Sequence, residues 1–377
     1  MILSLGSRGP VVEFLQSALN KANFRVGNVD GIFGSRTEDA VKRLQAYFGI
    51  NVDGIVGPDT WEALFPFING YAIYRVRSGD TLFKIAQNFT TSVNNILLAN
   101  PDKDLSVIYP GQIIVVPFGN IVPTDISYTS EVLNINIRAL KVVYPFIETG
   151  FIGTSVLSED IPYVKIGNGE KEVFYNASFH ANEWITSVVL MKFIENYCSA
   201  IRSGGTIYGF DARTLFDSVS IYIVPMVNPD GVNLVTGYIR DDSPAYLKAR
   251  NIANNFPDIP FPSGWKANLN GVDLNLQYPA EWNRAKQIKF EQGFNKPAPR
   301  DYVGLGPLTE PEALAVYNFT LMHNFRLVIS YHTQGKEIYW QFLNFTPPQG
   351  FEIANAFAEV SRLHCCRCTF CFKFCWL

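Results

Sequence analysis

Two short polar stretches, each placed where an apolar strand-like run ends, constrain the fold more than any other feature. His180-Ala181-Asn182-Glu183 follows the run Val173 to Phe179, and His332 follows the run Leu327 to Tyr331. A third run covers Val219 to Val224, and helical patterns such as Thr186 to Tyr197 separate the runs. Strands alternating with helices predict an α/β sheet with helices on both faces. Ligands of such sheets gather at the carboxyl ends of strands. His180 and Glu183, three residues apart, fall on one side of a helical or tight turn; His332 must come from another strand. Two imidazoles and a carboxylate, with a fourth position left for water, form the donor set of a catalytic zinc. The pattern predicts a metal-assisted hydrolase.

The 377 residues suffice for roughly two or three domains. Apolar content of 47% with 17% charged residues is globular, and a net charge of −3 argues against a nucleic-acid partner. No apolar run approaches the roughly 20 residues that span a bilayer, so no membrane association is expected. The stretch Met1 to Ser7 lacks the basic start and long apolar core of a secretion signal. The expected location is therefore cytoplasmic.

The N-terminal third contains a repeat. Asp30-Gly31-Ile32-Phe33-Gly34-Ser35-Arg36-Thr37 recurs as Asp53-Gly54-Ile55-Val56-Gly57-Pro58-Asp59-Thr60. Each copy reads as a turn followed by a helix start. Ser35 and Glu38 have capping-box spacing, and Pro58 suits a first helical turn. Val11, Leu15, Ala18 and Leu19 mark the apolar face of a preceding helix. Residues 1–66 thus predict a small three-helix unit, which resembles the peptidoglycan-binding domain found beside wall hydrolases. A helical spacer without a ligand is the bland alternative. Residues 71–119 read as strand, helix, helix, strand: Tyr71 to Val76, a helix opening at Gly79-Asp80-Thr81-Leu82 with Asp80 as N-cap, a second near Val93 to Ala99, and Ile113 to Pro117. With Ala99-Asn100-Pro101 and Pro110-Gly111-Gln112, this βααβ unit resembles a LysM domain. The resemblance implies binding of N-acetylglucosamine chains by Gly79, Asp80, Thr81 and Leu82 and by the loop at Ile108. Residues 120–127, with Pro123, read as a linker.

From residue 128 to 361 the chain resembles the zinc carboxypeptidase family. Phe179-His180-Ala181-Asn182-Glu183-Trp184, Val227-Asn228-Pro229-Asp230-Gly231, Asn270-Gly271-Val272-Asp273-Leu274-Asn275, Thr309-Glu310-Pro311-Glu312 and Ser330-Tyr331-His332-Thr333 carry the resemblance. It implies an α/β domain with a mixed sheet flanked by helices, and one zinc ion on His180, Glu183 and His332. It also implies an activated water attacking a peptide carbonyl. Substrate-binding positions of the family fall on Asn182, Asn275 and Leu276, and its carbonyl-polarising arginine falls on Lys266, after Trp265. A solvated loop lysine is the other reading of Lys266. Two departures matter. Leu276 replaces the arginine that clamps a terminal carboxylate, and leucine cannot make that bidentate contact. Asn182 also stands where an arginine is usual.

Removal of ordinary C-terminal residues is therefore not expected. With two wall-binding modules in front, the set resembles the γ-D-glutamyl-L-diamino acid endopeptidases, which cut the γ-D-glutamyl–meso-diaminopimelate bond of peptidoglycan stem peptides. Peptidoglycan glycan chains and stem peptides are the expected partners, and lack of a signal sequence fits the sporulation-associated intracellular type. A general zinc carboxypeptidase and a non-catalytic wall-binding protein are the rivals.

Five of six cysteines, Cys365, Cys366, Cys368, Cys371 and Cys375, crowd the end of the chain, while Cys198 sits in a helical pattern as an expected core thiol. The family's general-base glutamate and substrate-covering tyrosine lie further along than Leu377; Glu352 and Glu359 fall in a helical pattern, Phe351 to Val360, that reads as packing. Read one nucleotide later, cysteine codons give alanine or valine and tryptophan gives glycine. A back-translation of residues 362–377 in that frame resembles the family's segment here. The tail is thus expected to be a frameshift starting near Ser361, which leaves the general base absent. A Cys/His metal cluster on His364, Cys365, Cys366 and Cys368 is the rival, although its spacing matches no common zinc module.

Overall fold

The computed structural model describes residues 2–343 and 345–368. Three helices open the chain: α1 (Pro10–Lys21), α2 (Ser35–Phe48) and α3 (Pro58–Asn69). They close over Val12, Leu15, Leu19, Phe33, Ala40, Val41, Leu44, Val56 and Leu64, all fully buried. Val12 takes the core position expected of Val11, which is only partly buried. The doubled motif has a structural cause. In the first copy Gln16 of α1 donates from Nε2 to Asp30 Oδ1 (2.8 Å), the Ile32 carbonyl and Thr37 Oγ1, while its Oε1 accepts from the Asp30 and Gly31 amides. Gln45 of α2 repeats this with Asp53 Oδ1 (2.9 Å), the Ile55 carbonyl, Thr60 Oγ1 and the Gly54 amide. Each copy is a turn folded around one buried glutamine. The expected capping box is absent: Gly34 is the N-cap of α2, Ser35 is already helical, and Glu38 pairs with Lys42 instead. Pro58 does open α3.

The second module is β1 (Tyr71–Arg75), α4 (Leu82–Asn88), α5 (Val93–Leu98) and β2 (Ile113–Pro117), with β1 and β2 antiparallel. Thr81, not Asp80, caps α4, its hydroxyl accepting from the Lys84 amide. Asp80 is one residue too early and closes the preceding turn, accepting from the Arg77 amide and the Tyr74 hydroxyl. Residues 120–127 lie against both neighbours: Ile121, Val122 and Ile126 are buried, Ser17 bonds Asp125, and Glu195 accepts from the Ile121 amide.

The third unit contains α6 (Ser130–Val143), β3 (Glu148–Thr154), β4 (Asp160–Ile166), β5 (Lys171–Ala177), α7 (Ile185–Ser203), the short pair β6 (Thr206–Ile207) and β7 (Phe210–Asp211), and α8 (Ala212–Ser218). After these come β8 (Val219–Val224), α9 (Pro229–Val235), α10 (Pro244–Ala253), α11 (Trp282–Glu291), α12 (Pro311–Leu321) and β9 (Leu327–Tyr331). Five strands form one mixed sheet in the order β3-β4-β8-β5-β9. The β3, β4 and β8 pairings are antiparallel; β8, β5 and β9 run parallel. Alternation along β8 shows how both faces are covered. Ile221 and Ile223 pack toward α6 and α7 with Leu140, Met191 and Ile194, whereas Tyr222 and Val224 pack toward α12 with Ala313, Val316 and Phe319. Cys198 is fully buried in α7, and burial pushes its thiol pKa up.

Beyond this sheet lie β10 (Glu337–Phe342), α13 (Gly350–Ser361) and β11 (His364–Cys368); β10 and β11 pair in parallel as a separate two-stranded sheet. Of the cysteine-rich tail, residues 369–377 and the side chains of Cys366 and Cys368 lie outside the described residues, and with them most of the expected frameshifted segment and its rival metal cluster. No helix among the described residues is long and apolar enough to cross a membrane.

Candidate metal centre

Strand β5 lies between β8 and β9 in the sheet and runs parallel to both, so its carboxyl end lies beside theirs, where sites of such sheets form. Ala177, the last residue of β5, is in register with Tyr331, the last of β9. The segments that follow these two residues therefore start side by side. Strand β5 ends two residues earlier than its apolar run suggests, because Ser178 adopts a left-handed conformation (φ 51°). Its amide bonds Thr186 Oγ1 and its hydroxyl lies 2.8 Å from that of Ser187. Residues 181–183 then form one 3₁₀ turn.

That turn brings Glu183 back beside His180. His180 Nδ1 lies 3.2 Å from Glu183 Oε2, His332 Nδ1 lies 2.8 Å from the same oxygen, and the two Nδ1 atoms are 3.2 Å apart. All three side chains are almost wholly withdrawn from water. The other Glu183 oxygen, Oε1, is buried and accepts no hydrogen bond among the described residues. Three potential ligand atoms, two imidazole nitrogens and one carboxylate oxygen, lie within 4.8 Å of one another, a donor set that fits a divalent cation of the zinc type.

Asp273, to which sequence reasoning gave no role of its own, completes the centre. Its Oδ1 is 3.2 Å from His180 Nε2, which leaves Nδ1 as the nitrogen turned toward Glu183 and His332. Asp273 is held in turn by the Asn275 amide at Oδ1 and the Asp301 amide at Oδ2. The signal for it was its place within the Asn270–Asn275 motif. Charges in the cluster follow from these contacts. Burial works against the His180 imidazolium, but the Asp273 and Glu183 carboxylates together outweigh it and lift the pKa to about 9. Burial pushes His332 down, with the His180 charge acting in the same direction. Burial alone would raise Glu183 and Asp273; hydrogen bonds from both histidines hold Glu183 far below the carboxylate range, and the His180 charge does the same for Asp273.

Lys266 is not solvated: it is 4% exposed, with Nζ 2.6 Å from Gln334 Oε1 and 3.6 Å from the Glu183 oxygen that takes no hydrogen bond. The Ala181 amide donates to the Lys266 carbonyl, tying this loop to the 3₁₀ turn. Asn228 fastens the same segments. Fully buried, it donates from Nδ2 to the carbonyls of Phe179 (3.2 Å) and Ala267 (3.1 Å) and caps α9 at the Gly231 amide. Gly231 is required there, since a Cβ would stand 2.8 Å from that of Ala181. Asn182 leaves the cluster, donating to the Ser263 carbonyl at 3.4 Å. Asn275 is buried in a second 3₁₀ turn. Leu276 faces an apolar pocket with Trp282, Ala285 and Val303. The loop residues Gly79, Asp80, Thr81, Leu82 and Ile108 belong to the second module.

Three family models match, in chain order: a putative peptidoglycan binding domain at residues 8–64, a LysM domain at 74–117 and a zinc carboxypeptidase at 135–361. The chain is 44% identical over 237 residues to gamma-D-glutamyl-L-diamino acid endopeptidase 1 of Lysinibacillus sphaericus, covering 62% of this chain and 58% of that protein. It is 38% identical to the protein YqgT of Bacillus subtilis (strain 168) over 62% of this chain and 61% of that one. The chain thus spans about three fifths of the length of these relatives. Among solved structures, thrombin activatable fibrinolysis inhibitor superposes with a TM-score of 0.50 at 16% identity, covering 81% of this chain and 84% of that one.

Proposed function

The chain belongs to the zinc carboxypeptidase family, and from that premise we propose that it is a peptidoglycan-directed metallopeptidase. We propose further that it hydrolyses the γ-D-glutamyl–meso-diaminopimelate bond of stem peptides. His180 Nδ1, Glu183 Oε2 and His332 Nδ1 would hold one zinc ion. When bound there, zinc supplies the electrophilic activation of carbonyl and water on which this class of hydrolysis depends. Asp273 fixes the His180 tautomer. Lys266, desolvated beside Glu183, offers a cation to a developing oxyanion, as a point charge and not as the fork that arginine presents. The N-terminal modules keep the site close to its insoluble substrate by tethering to glycan, with the Gly79–Leu82 loop and Ile108 as contact points.

One observation carries the choice of an endopeptidase over a carboxypeptidase. A carboxypeptidase needs a fixed cation for the terminal carboxylate, and the family's position for it is here Leu276, closed into an apolar pocket by Trp282 and Val303. Without that clamp, selectivity for a free C-terminus has no anchor. Support also comes from the relative that is 44% identical and carries the endopeptidase name.

The test incubates the zinc-loaded chain with L-Ala-γ-D-Glu-meso-diaminopimelate peptides and, separately, with ordinary peptides, and identifies products by mass. Cleavage after γ-D-glutamate is the expected result, at a rate about 10²- to 10⁴-fold below that of a chain that supplies the family's general-base glutamate. Release of single C-terminal residues from ordinary peptides would instead identify a general carboxypeptidase. Zinc uptake and wall binding with no cleavage of either substrate would leave a wall-binding protein.

A further inference from the structure

Lys266 enters the metal centre on a backbone that is pinned on both sides. Trp265 is fully buried and donates from its indole nitrogen to the Ala267 carbonyl (2.8 Å). The Lys266 and Ala267 amides both donate to the Pro299 carbonyl, at 2.8 and 2.9 Å, and the Lys266 carbonyl accepts from the Ala181 amide. The start of the side chain is thus fixed, and only its flexible four-carbon stem decides where the ammonium rests. Two oxygens compete for it. Gln334 Oε1, a neutral acceptor, lies 2.6 Å from Nζ; Glu183 Oε1, a carboxylate oxygen, lies 3.6 Å away, beyond hydrogen-bond reach.

Charge alone predicts the opposite choice. Lys266 and Glu183 are both withdrawn from water, where attraction between opposite charges is strongest. Yet the ammonium sits on the amide. Gln334 lies two positions beyond His332, so the loop that delivers one metal-ligand nitrogen also delivers the acceptor that draws Lys266 aside. The consequence falls on Glu183. Its Oε2 already stands beside the two imidazole nitrogens, at 3.2 and 2.8 Å. A lysine bonded to Oε1 sets a second cation against the metal for the same carboxylate charge. A movement of Nζ by about 1 Å is enough to close that contact.

We infer that Gln334 is a positioning residue: its side-chain oxygen holds the Lys266 ammonium off Glu183, which leaves the carboxylate to the metal and the ammonium to the substrate. This rests on the reading of His180, Glu183 and His332 as zinc ligands. Gln334 acts through Lys266, so its removal matters only while the ammonium is present.

The test measures zinc affinity of the full chain by competition with a chromophoric chelator, in a double-mutant cycle, with circular dichroism to confirm the fold of each variant. Gln334→Ala should weaken zinc binding by about tenfold, the order of one hydrogen bond to a charged group. Lys266→Met keeps the buried stem and removes the charge; it should bind zinc at least as tightly as wild type. Adding Gln334→Ala to Lys266→Met should then change affinity by less than about twofold. If Gln334→Ala alone stays within about twofold of wild type, the ammonium does not move onto Glu183 and the inference falls. If Gln334→Ala weakens zinc equally in both backgrounds, it acts on the His332 loop and not through Lys266. The inference then falls while the zinc reading stands. If wild type takes up no zinc, both readings fall.

Discussion

Replacing Asp273 by asparagine tests the centre at the point where one side chain decides the geometry of another. Asp273 is buried and uses both oxygens: Oδ1 accepts from the Asn275 amide and faces His180 Nε2 at 3.2 Å, and Oδ2 accepts from the Asp301 amide. An amide accepts at one end only. If its oxygen stays on His180, its NH₂ meets the Asp301 amide donor to donor; if it flips, the NH₂ meets His180 and the Asn275 amide. In the better orientation the charge-assisted bond becomes a neutral one, roughly half as strong. Partners of this kind are worth about 10- to 100-fold in metal affinity, or about 1.4–2.7 kcal/mol. The assay strips the protein with a chelator and measures zinc affinity by competition with a chromophoric chelator, with circular dichroism to confirm the fold. Asp273→Asn is expected to bind zinc 10- to 100-fold more weakly. A folded variant with affinity within about twofold of wild type would refute the claim that Asp273 orients His180.

Other expectations follow from buried polar groups. Burial raises Glu312, fully withdrawn from water behind Asn268 and Val156, from an ordinary 4.5 to about 7. The folded state keeps that proton where the unfolded chain has lost it. Stability therefore falls as pH rises between those values, by up to about 3 kcal/mol, and levels off above them. Glu312→Gln should gain in Tm on wild type between about pH 5 and about pH 8, and a constant difference would contradict the assignment. Asn228→Ala strands two carbonyls and an amide, and should cost about 3 kcal/mol or more in denaturant unfolding of the third unit; less than about 1 kcal/mol would show that water replaces it. Gln16→Ala and Gln45→Ala should each destabilise the three-helix unit by about 2–4 kcal/mol, with faster amide exchange in the turn that each glutamine fills. Unchanged exchange would mean that the turns hold themselves.

The sequence by itself determined some of the elements and the α/β class, but not β3 and β4, whose antiparallel pairing makes the sheet mixed. Strand and helix periods depend on neighbours along the chain, so β8 and β9 stand where their apolar runs stand, and α/β alternation predicted a sheet with helices on both faces. It also determined which residue types end strands, and thereby His180, Glu183 and His332. Local chemistry misled where the competitor was one residue away: Asp80 and Thr81 are both good caps, and only the fold put Asp80 under the Tyr74 hydroxyl. Tertiary structure alone decided that β5 and β9 are neighbours in register, because strand order is set by packing across the whole sheet. It alone set Asp273 behind His180 and buried Lys266 beside Glu183, since both contacts join segments far apart in sequence. The same holds for the repeat. Its residues can be read from the chain, but the reason for them, one glutamine filling each turn from a helix away, exists only after folding.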